Sequence, residues 1–407
     1  MALSNHQLQH NPLTWLFLAI YIFSCVLFWW LQSLLLKFWL GLESPIETRF
    51  LWISFFALAT FVLGYLIPVY KFRDHSHQSN VLDSCEKFSF RATLIMAVPA
   101  FLVAAEFAYS RLGQTYFEGT GISLPQQAVL YTHLFLGFLY LGTVKDAPAQ
   151  KGRILLVSLL IALPRLIVSL QWGRFFVAQA IVPILFIAIG RRWIRISLKK
   201  LLQFSVIGLF ILFVPALTRG DTVFGEDPQG SPQIVNYFGY MNSLGFFQDN
   251  TELKYPCPPL LVSLTAKTLP YPLLGVCTTD VGDDKGIAAT VDRLLTKEYS
   301  DDLRAGSGGN YLLELYLTGG VPAIIIGSVF FGWSCRLFVV LLDHRSLYAG
   351  IWAECLSRAL FAPRGTLGAA FDRIPSLLLA TWAVVLVSWT FDVLSSRAAA
   401  SHQGALR

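Results

Sequence analysis

The chain has 407 residues, of which 55% are hydrophobic and 14% charged, against about 25% charged in soluble domains, and its mean hydropathy is +0.57. One soluble globule cannot hide that much apolar surface, so a single anchored globular domain and a disordered chain are both excluded. The net charge of +6 does not describe a nucleic-acid surface, because the Lys and Arg lie in short clusters between long apolar runs.

A helix needs roughly 18 or more mostly apolar residues to cross a ~30 Å hydrocarbon layer. In chain order such runs fall at 14–36, 50–70, 92–109, 127–144, 153–171, 174–190 and 201–217, and then at 311–334, 346–362 and 375–394. The first run is too long for a cleaved signal and lacks a basic flank and a small-residue cleavage site, so it reads as a span. The predicted fold class is all-α: a polytopic helical bundle of about 10 transmembrane helices (range 9–12) with one large external loop. Residues 1–217 carry the first seven helices, 218–310 form the loop, and 311–407 carry the remaining helices and a cytoplasmic tail.

Sidedness follows from the basic residues, which accumulate in short cytoplasmic loops. Segments 191–200, 71–91, 145–153 and 335–346 hold five, four, three and two of them, all on one face of the ten-span arrangement. The opposite loops, 37–49, 110–126, 171–174 and 363–373, hold six in total. Both termini are then cytoplasmic and 218–310 faces outward. That loop carries twelve acids and seven bases, a net −5, which leaves +11 on the membrane body. Cys85 sits in a basic loop, and Cys25, Cys335 and Cys355 in or beside spans. Cys257 and Cys277 share the outer loop, where they are either a disulfide or two unpaired small hydrophobes. No CxxC, HExxH, His cluster or carboxylate cage points to a metal, and no phosphate-cradling loop or dinucleotide fingerprint points to a cofactor. No repeat of fixed period and no inverted pair of broken helices is visible.

Ionisable residues inside spans are costly and mark functional sites by default. Arg165 follows Pro164 in LLIALPRLIVSL, roughly twelve residues or ~18 Å beyond Arg153, in the outer half of the layer. A short turn leads to Arg174 in QWGRFF. The planar, permanently charged guanidinium suits a diphosphate. The alternatives are an interfacial anchor for Arg174 and a structural pair with an acid such as Glu106 for Arg165. Arg219 opens the outer loop with Asp221 and Glu226 close by. His133, in the fourth span, reads as a satisfied helix-packing histidine.

The segment RAGSGGNYLLELYLTGGVPAIIIGSVFFG, Arg304 to Gly332, is the most distinctive. Its glycines open a flexible entrance, Asn310 can cap, and Glu314 lies in the first turns of the next helix. Gly319, Gly320 and Pro322 loosen that helix further on. The ordered residues Gly306, Gly308, Asn310, Glu314, Tyr316 and Gly320, returning from a long outer loop, resemble the corresponding stretch of Wzy-type O-antigen polysaccharide polymerases. WGRFFVAQAIVPILFIAIGRR, Trp172 to Arg192, is similar to the family's helix that starts at Gly-Arg and ends in a basic loop. Together these cover about 50 residues. The family commonly has Ser where Asn310 stands.

The resemblance implies a glycosyltransferase at the periplasmic face of the bacterial inner membrane, joining undecaprenyl-diphosphate-linked glycan repeats, with no cofactor. Its partners would be the lipid-linked glycans, membrane lipids, a chain-length co-polymerase and a flippase, and no nucleic acid. It points to Glu314, Asp221 and Arg174 for catalysis, Glu314 ahead of Asp221 as the base. Arg165, Arg174, Arg219, Arg304, Asn310 and Tyr316 would bind the diphosphate and glycan. O-antigen ligases share the donor but typically carry a His in the outer loop, and 218–310 has none. A polytopic transporter or flippase for a lipid-linked or anionic substrate is the reading from another class.

Overall fold

A computed structural model of the chain describes residues 12–31, 48–69, 79–110, 122–145, 150–171, 175–194, 311–364, 367–371 and 373–405. Among them the secondary structure is helical and contains no strand. The helices are α1 (Pro12–Cys25, continued by a π-helical turn, Val26–Leu31), α2 (Thr48–Leu66), α3 (Ser79–Ser110), α4 (Leu124–Thr143) and α5 (Lys151–Gln171). They continue as α6 (Phe175–Gly190), α7 (Tyr311–Leu341), α8 (Ala349–Ala359), α9 (Leu367–Phe371) and α10 (Ile374–Ala405).

Four described segments are long and apolar enough to cross a membrane: Asn80–Ser110, Lys151–Leu170, Thr318–Leu341 and Ile374–Phe391. Pro12–Cys25, Trp52–Leu66 and Phe176–Gly190 are shorter apolar helices. These segments turn large apolar side chains outward instead of hiding them. The most apolar window of α10 is only 11% buried, and Trp382, Leu386 and Trp389 project from it. Exposure on that scale suits lipid and not water. The predicted span 201–217 and the outer loop 218–310 lie outside the described residues.

Three boundaries differ from the sequence expectation. α3 starts at Ser79, so the part of the presumed basic loop around Cys85 is helix, and Cys85 is buried in it. Asp83, Glu86 and Lys87 are compatible with helix, and nothing between Ser79 and the apolar run breaks it. In place of a span over 346–362 there is α8, whose 11 residues reach only ~16 Å. It buries both Glu354 and Arg358. The predicted helix 311–334 is not one rod, as the next paragraph shows.

By their contacts the described residues fall into two compact units. The first comprises α1, α2, α7 as far as Phe338, and the stretch from Arg358 to Ile374. Here Phe17 stacks on Tyr65 at 5.8 Å and Tyr21 on Phe61 at 3.9 Å, so α1 and α2 run antiparallel. Tyr65 Oη donates to the Thr14 carbonyl at 2.8 Å. Arg336 donates to Thr14 Oγ1 while Phe331 meets Tyr21 edge-on at 6.0 Å, which sets the later part of α7 antiparallel to α1 as well. α2 and that part of α7 approach so closely that a Cβ on Gly332 would lie 2.0 Å from the Phe61 carbonyl oxygen. Within α7 the backbone leaves helical geometry at Gly319 and at Gly320, whose φ is +67°. The chain reverses there: Leu315 packs on Gly327, and the rings of Tyr311 and Phe331 lie 5.6 Å apart. Twenty residues of straight helix would hold them ~30 Å apart. α7 is therefore a hairpin, a short limb of residues 311–318 folded against a long limb of residues 321–341.

The second unit holds α3 to α6, residues Val339 to Ser357, and α10 from Pro375. α3 and α4 are antiparallel, with Phe90 against Tyr140 at 5.2 Å and Glu106 accepting from Gln126 at 3.5 Å. α5 returns alongside them, Gly137 of α4 packing on Ile161. Charges collect at the end where α3 starts and α4 finishes. Arg345 donates to Asp83 at 2.6 Å, to Glu86 at 2.9 Å and to the Thr143 carbonyl, while Lys145 Nζ reaches Asp83 at 2.7 Å. From the end of α6, Arg191 donates to the carbonyls of Leu141 and Val144 at 3.0 and 2.8 Å. These carbonyls are among the last of α4, which no amide of that helix can satisfy.

Candidate functional site

Each unit contains one of the ionisable residues singled out from sequence. In the second, Arg165 is 1% exposed although it belongs to one of the most apolar helices. Pro164 sits one position earlier and removes a backbone donor from the turn. The guanidinium lies over the Tyr131 ring of α4, 4.5 Å from its centroid, and 5.6 Å from that of Phe176 in α6. Cation–π contact of this kind partly replaces lost hydration, and it leaves the in-plane N–H donors directed around the rings. A core of Ala100, Ala104, Phe107, Leu130 and Val168, flanked by Phe176, keeps the surroundings apolar. A fixed cation there acts on an anion far more strongly than it would in water. Glu106, considered above as its structural partner, is exposed and accepts from Gln126.

In the first unit, Glu314 occupies the short limb of α7 and is fully buried. Its Oε2 accepts the backbone N–H of Leu367 at 2.5 Å, the first residue of α9. The carboxylate thus holds a helix start. Sequence placed Glu314 near the start of a span; the reversal at Gly320 is what carries it instead into a protein interior. Thr318 Oγ1 donates to the Glu314 carbonyl at 2.7 Å and secures the last turn before the reversal. Tyr316 is half-buried on the same limb. Around it, the Trp29 indole donates to the Pro363 carbonyl at 3.0 Å and its ring lies 5.8 Å from Tyr311.

Arg165 belongs to the second unit, Glu314 and Tyr316 to the first. Arg174, Arg219, Asp221, Arg304, Asn310 and the Cys257 and Cys277 pair lie outside the described residues. Two residues earn a functional interest that sequence did not give them, His133 and Gln179, both buried beside elements that hold Arg165. The available signal for Gln179 was its solitary polarity in FFVAQAIVPILFIAIG. Comparison with protein-family models, with curated proteins and with solved structures finds no match.

Proposed function

We propose that the chain is a Wzy-type polymerase, a membrane-embedded glycosyltransferase that extends undecaprenyl-diphosphate-linked repeat units at the periplasmic face of a bacterial inner membrane. In this reading it crosses the bilayer about ten times, the passage near 346–362 being made by α8 and the turns after it, and the loop 218–310 is periplasmic. The observation that carries the reading is the Glu-x-Tyr-x-x-x-Gly run. Glu314 to Gly320 forms a reversing limb with its carboxylate enclosed, and the same sequence order resembles the polymerases. A buried arginine in an apolar helix and a basic membrane body under an acidic outer loop also support it.

The reaction needs no nucleotide. An acceptor sugar hydroxyl attacks the anomeric carbon of the donor glycan, the carbon–oxygen bond to the diphosphate breaks, and the hydroxyl proton passes to a carboxylate. Glu314, or Asp221, supplies that carboxylate. Arg165, Arg174 and Arg219 stabilise the charge gathering on the departing diphosphate, and Arg304, Asn310 and Tyr316 contact the glycan. A broken helix in a polytopic protein also favours a second reading, transport of a lipid-linked or anionic substrate.

A deletion strain scored by banding of its surface polysaccharide separates the two. A polymerase deletion keeps single-repeat material and loses the ladder. Loss of single-repeat material as well indicates export, and an unchanged ladder overturns the proposal. Arg174→Ala, at normal membrane abundance, is expected to lose the ladder; a full ladder removes Arg174 from the mechanism.

A further inference from the structure

Arg165 has neighbours that the proposed reaction leaves unused. α4 and α5 are antiparallel, and a Cβ on Gly137 would fall 2.3 Å from Ile161 Cγ2. One turn from that contact along each helix, on the same faces, stand His133 and Arg165. Both are buried, 2% and 1% exposed, and the imidazole lies within electrostatic reach of the guanidinium. His133 Nε2 has no hydrogen-bond partner. On α6, Gln179 lies one turn beyond Phe176, whose ring flanks the Arg165 guanidinium. It is 4% exposed and its Oε1 is also unpartnered. Buried polar atoms are nearly always satisfied by protein, water or ligand, and two orphans beside one buried cation need a common explanation.

Their chemistry selects the occupant. A guanidinium offers paired donors, an imidazole protonated at Nε2 offers one more, and a carboxamide turned about its last bond presents N–H in place of oxygen. Three donor groups around a positive charge in an apolar setting match an oxyanion. Tyr131 and Phe176 close the guanidinium faces and confine approach to the guanidinium plane. We infer that Arg165, His133 and Gln179 form one phosphate-binding pocket, occupied by a phosphate of a lipid-linked diphosphate. The proposal deepens, and rests on, the reading of Arg165 as a diphosphate contact, and it adds His133 and Gln179 as positioning residues for that group.

The test is a titration of the purified full-length protein with undecaprenyl diphosphate, followed by thermal shift and native mass spectrometry, with phosphatidylglycerol and inorganic phosphate as parallel probes. His133→Leu and Gln179→Leu are each expected to weaken undecaprenyl diphosphate binding at least tenfold while leaving the ligand-free melting temperature at or above that of the parent protein. His133→Gln, which keeps a donor, is expected to restore most of the binding. Unchanged binding in both leucine variants overturns the pocket. Where a leucine variant fails to fold, Arg165→Lys, which keeps the charge and loses the fork, gives the same discrimination. Equal affinity for phosphatidylglycerol overturns the assignment to a diphosphate carrier and gives the pocket to membrane headgroups. Weakened binding alongside an unchanged ladder in the deletion strain overturns the polymerase and leaves the pocket in place.

Discussion

Glu314 shows how one side chain can be asked to do two things. Its carboxylate is enclosed and accepts the Leu367 amide, and it is also the leading acid of the proposed reaction. Substitution separates these roles. Glu314→Gln keeps an oxygen for the Leu367 N–H but has no basicity, so the variant should reach the membrane normally and melt near the parent temperature while the ladder disappears. Glu314→Ala also strands the amide, a loss of about 1–3 kcal/mol, and should melt lower. A full ladder from the glutamine variant would leave Glu314 as a helix-start acceptor alone. Thermal melting in detergent and ladder analysis decide the matter together.

At the scale of the element, α7 is the informative case. TGGVP could be read as a loosened helix, but the backbone reverses because Gly320 takes φ +67°, a region that costs an L residue ~1–2 kcal/mol. Leu315 then finds Gly327, where no side chain blocks it. Gly320→Ala should therefore destabilise by that amount. Gly332→Ala should cost more, about 3 kcal/mol, because its methyl group meets the Phe61 carbonyl at 2.0 Å and backbone on backbone has little room to yield. Gly152→Ala in the first turn of α5 is the control. Nothing lies within 4 Å of that methyl, and the change should be neutral or stabilise by up to ~1 kcal/mol. Denaturation midpoints of the three variants in one detergent test the order; a Gly332→Ala protein as stable as the Gly152→Ala protein would remove the close approach of α2 and α7.

At the scale of the molecule, the cluster at the end of the second unit ties together segments far apart in sequence. Arg345 bridges Asp83, Glu86 and the Thr143 carbonyl with its side chain only 18% exposed. Its removal leaves two carboxylates facing each other, and Arg345→Ala should cost about 2–4 kcal/mol. Lys145→Ala should cost ~0.5 kcal/mol, since that side chain is 55% exposed and screened. Melting at low and high salt provides the check: the lysine effect should fade with salt and the arginine effect should persist, and equal losses would contradict the difference in burial. The same residues entered the sequence argument only as members of loops that mark one side of a membrane. Their gathering at one end of the unit is what supports that sidedness for α3, α4 and α6.

Sequence by itself determined the all-helical class, the apolar segments and the oddity of Arg165 and Glu314, because run length, composition and an ionisable residue in an apolar run are local properties. It misplaced the start of α3, since polar helix and polar loop differ little in composition. It overextended α8, since a buried amphipathic helix contains as many apolar residues as a poor span. Only the tertiary structure decided that α7 doubles back, that Glu314 meets Leu367, and that His133 and Gln179 accompany Arg165. The reversal depends on one backbone angle, and the other two depend on which helix faces pair and in what register. Such relations join residues from 12 to more than 50 positions apart, beyond the reach of any pattern within a single helix.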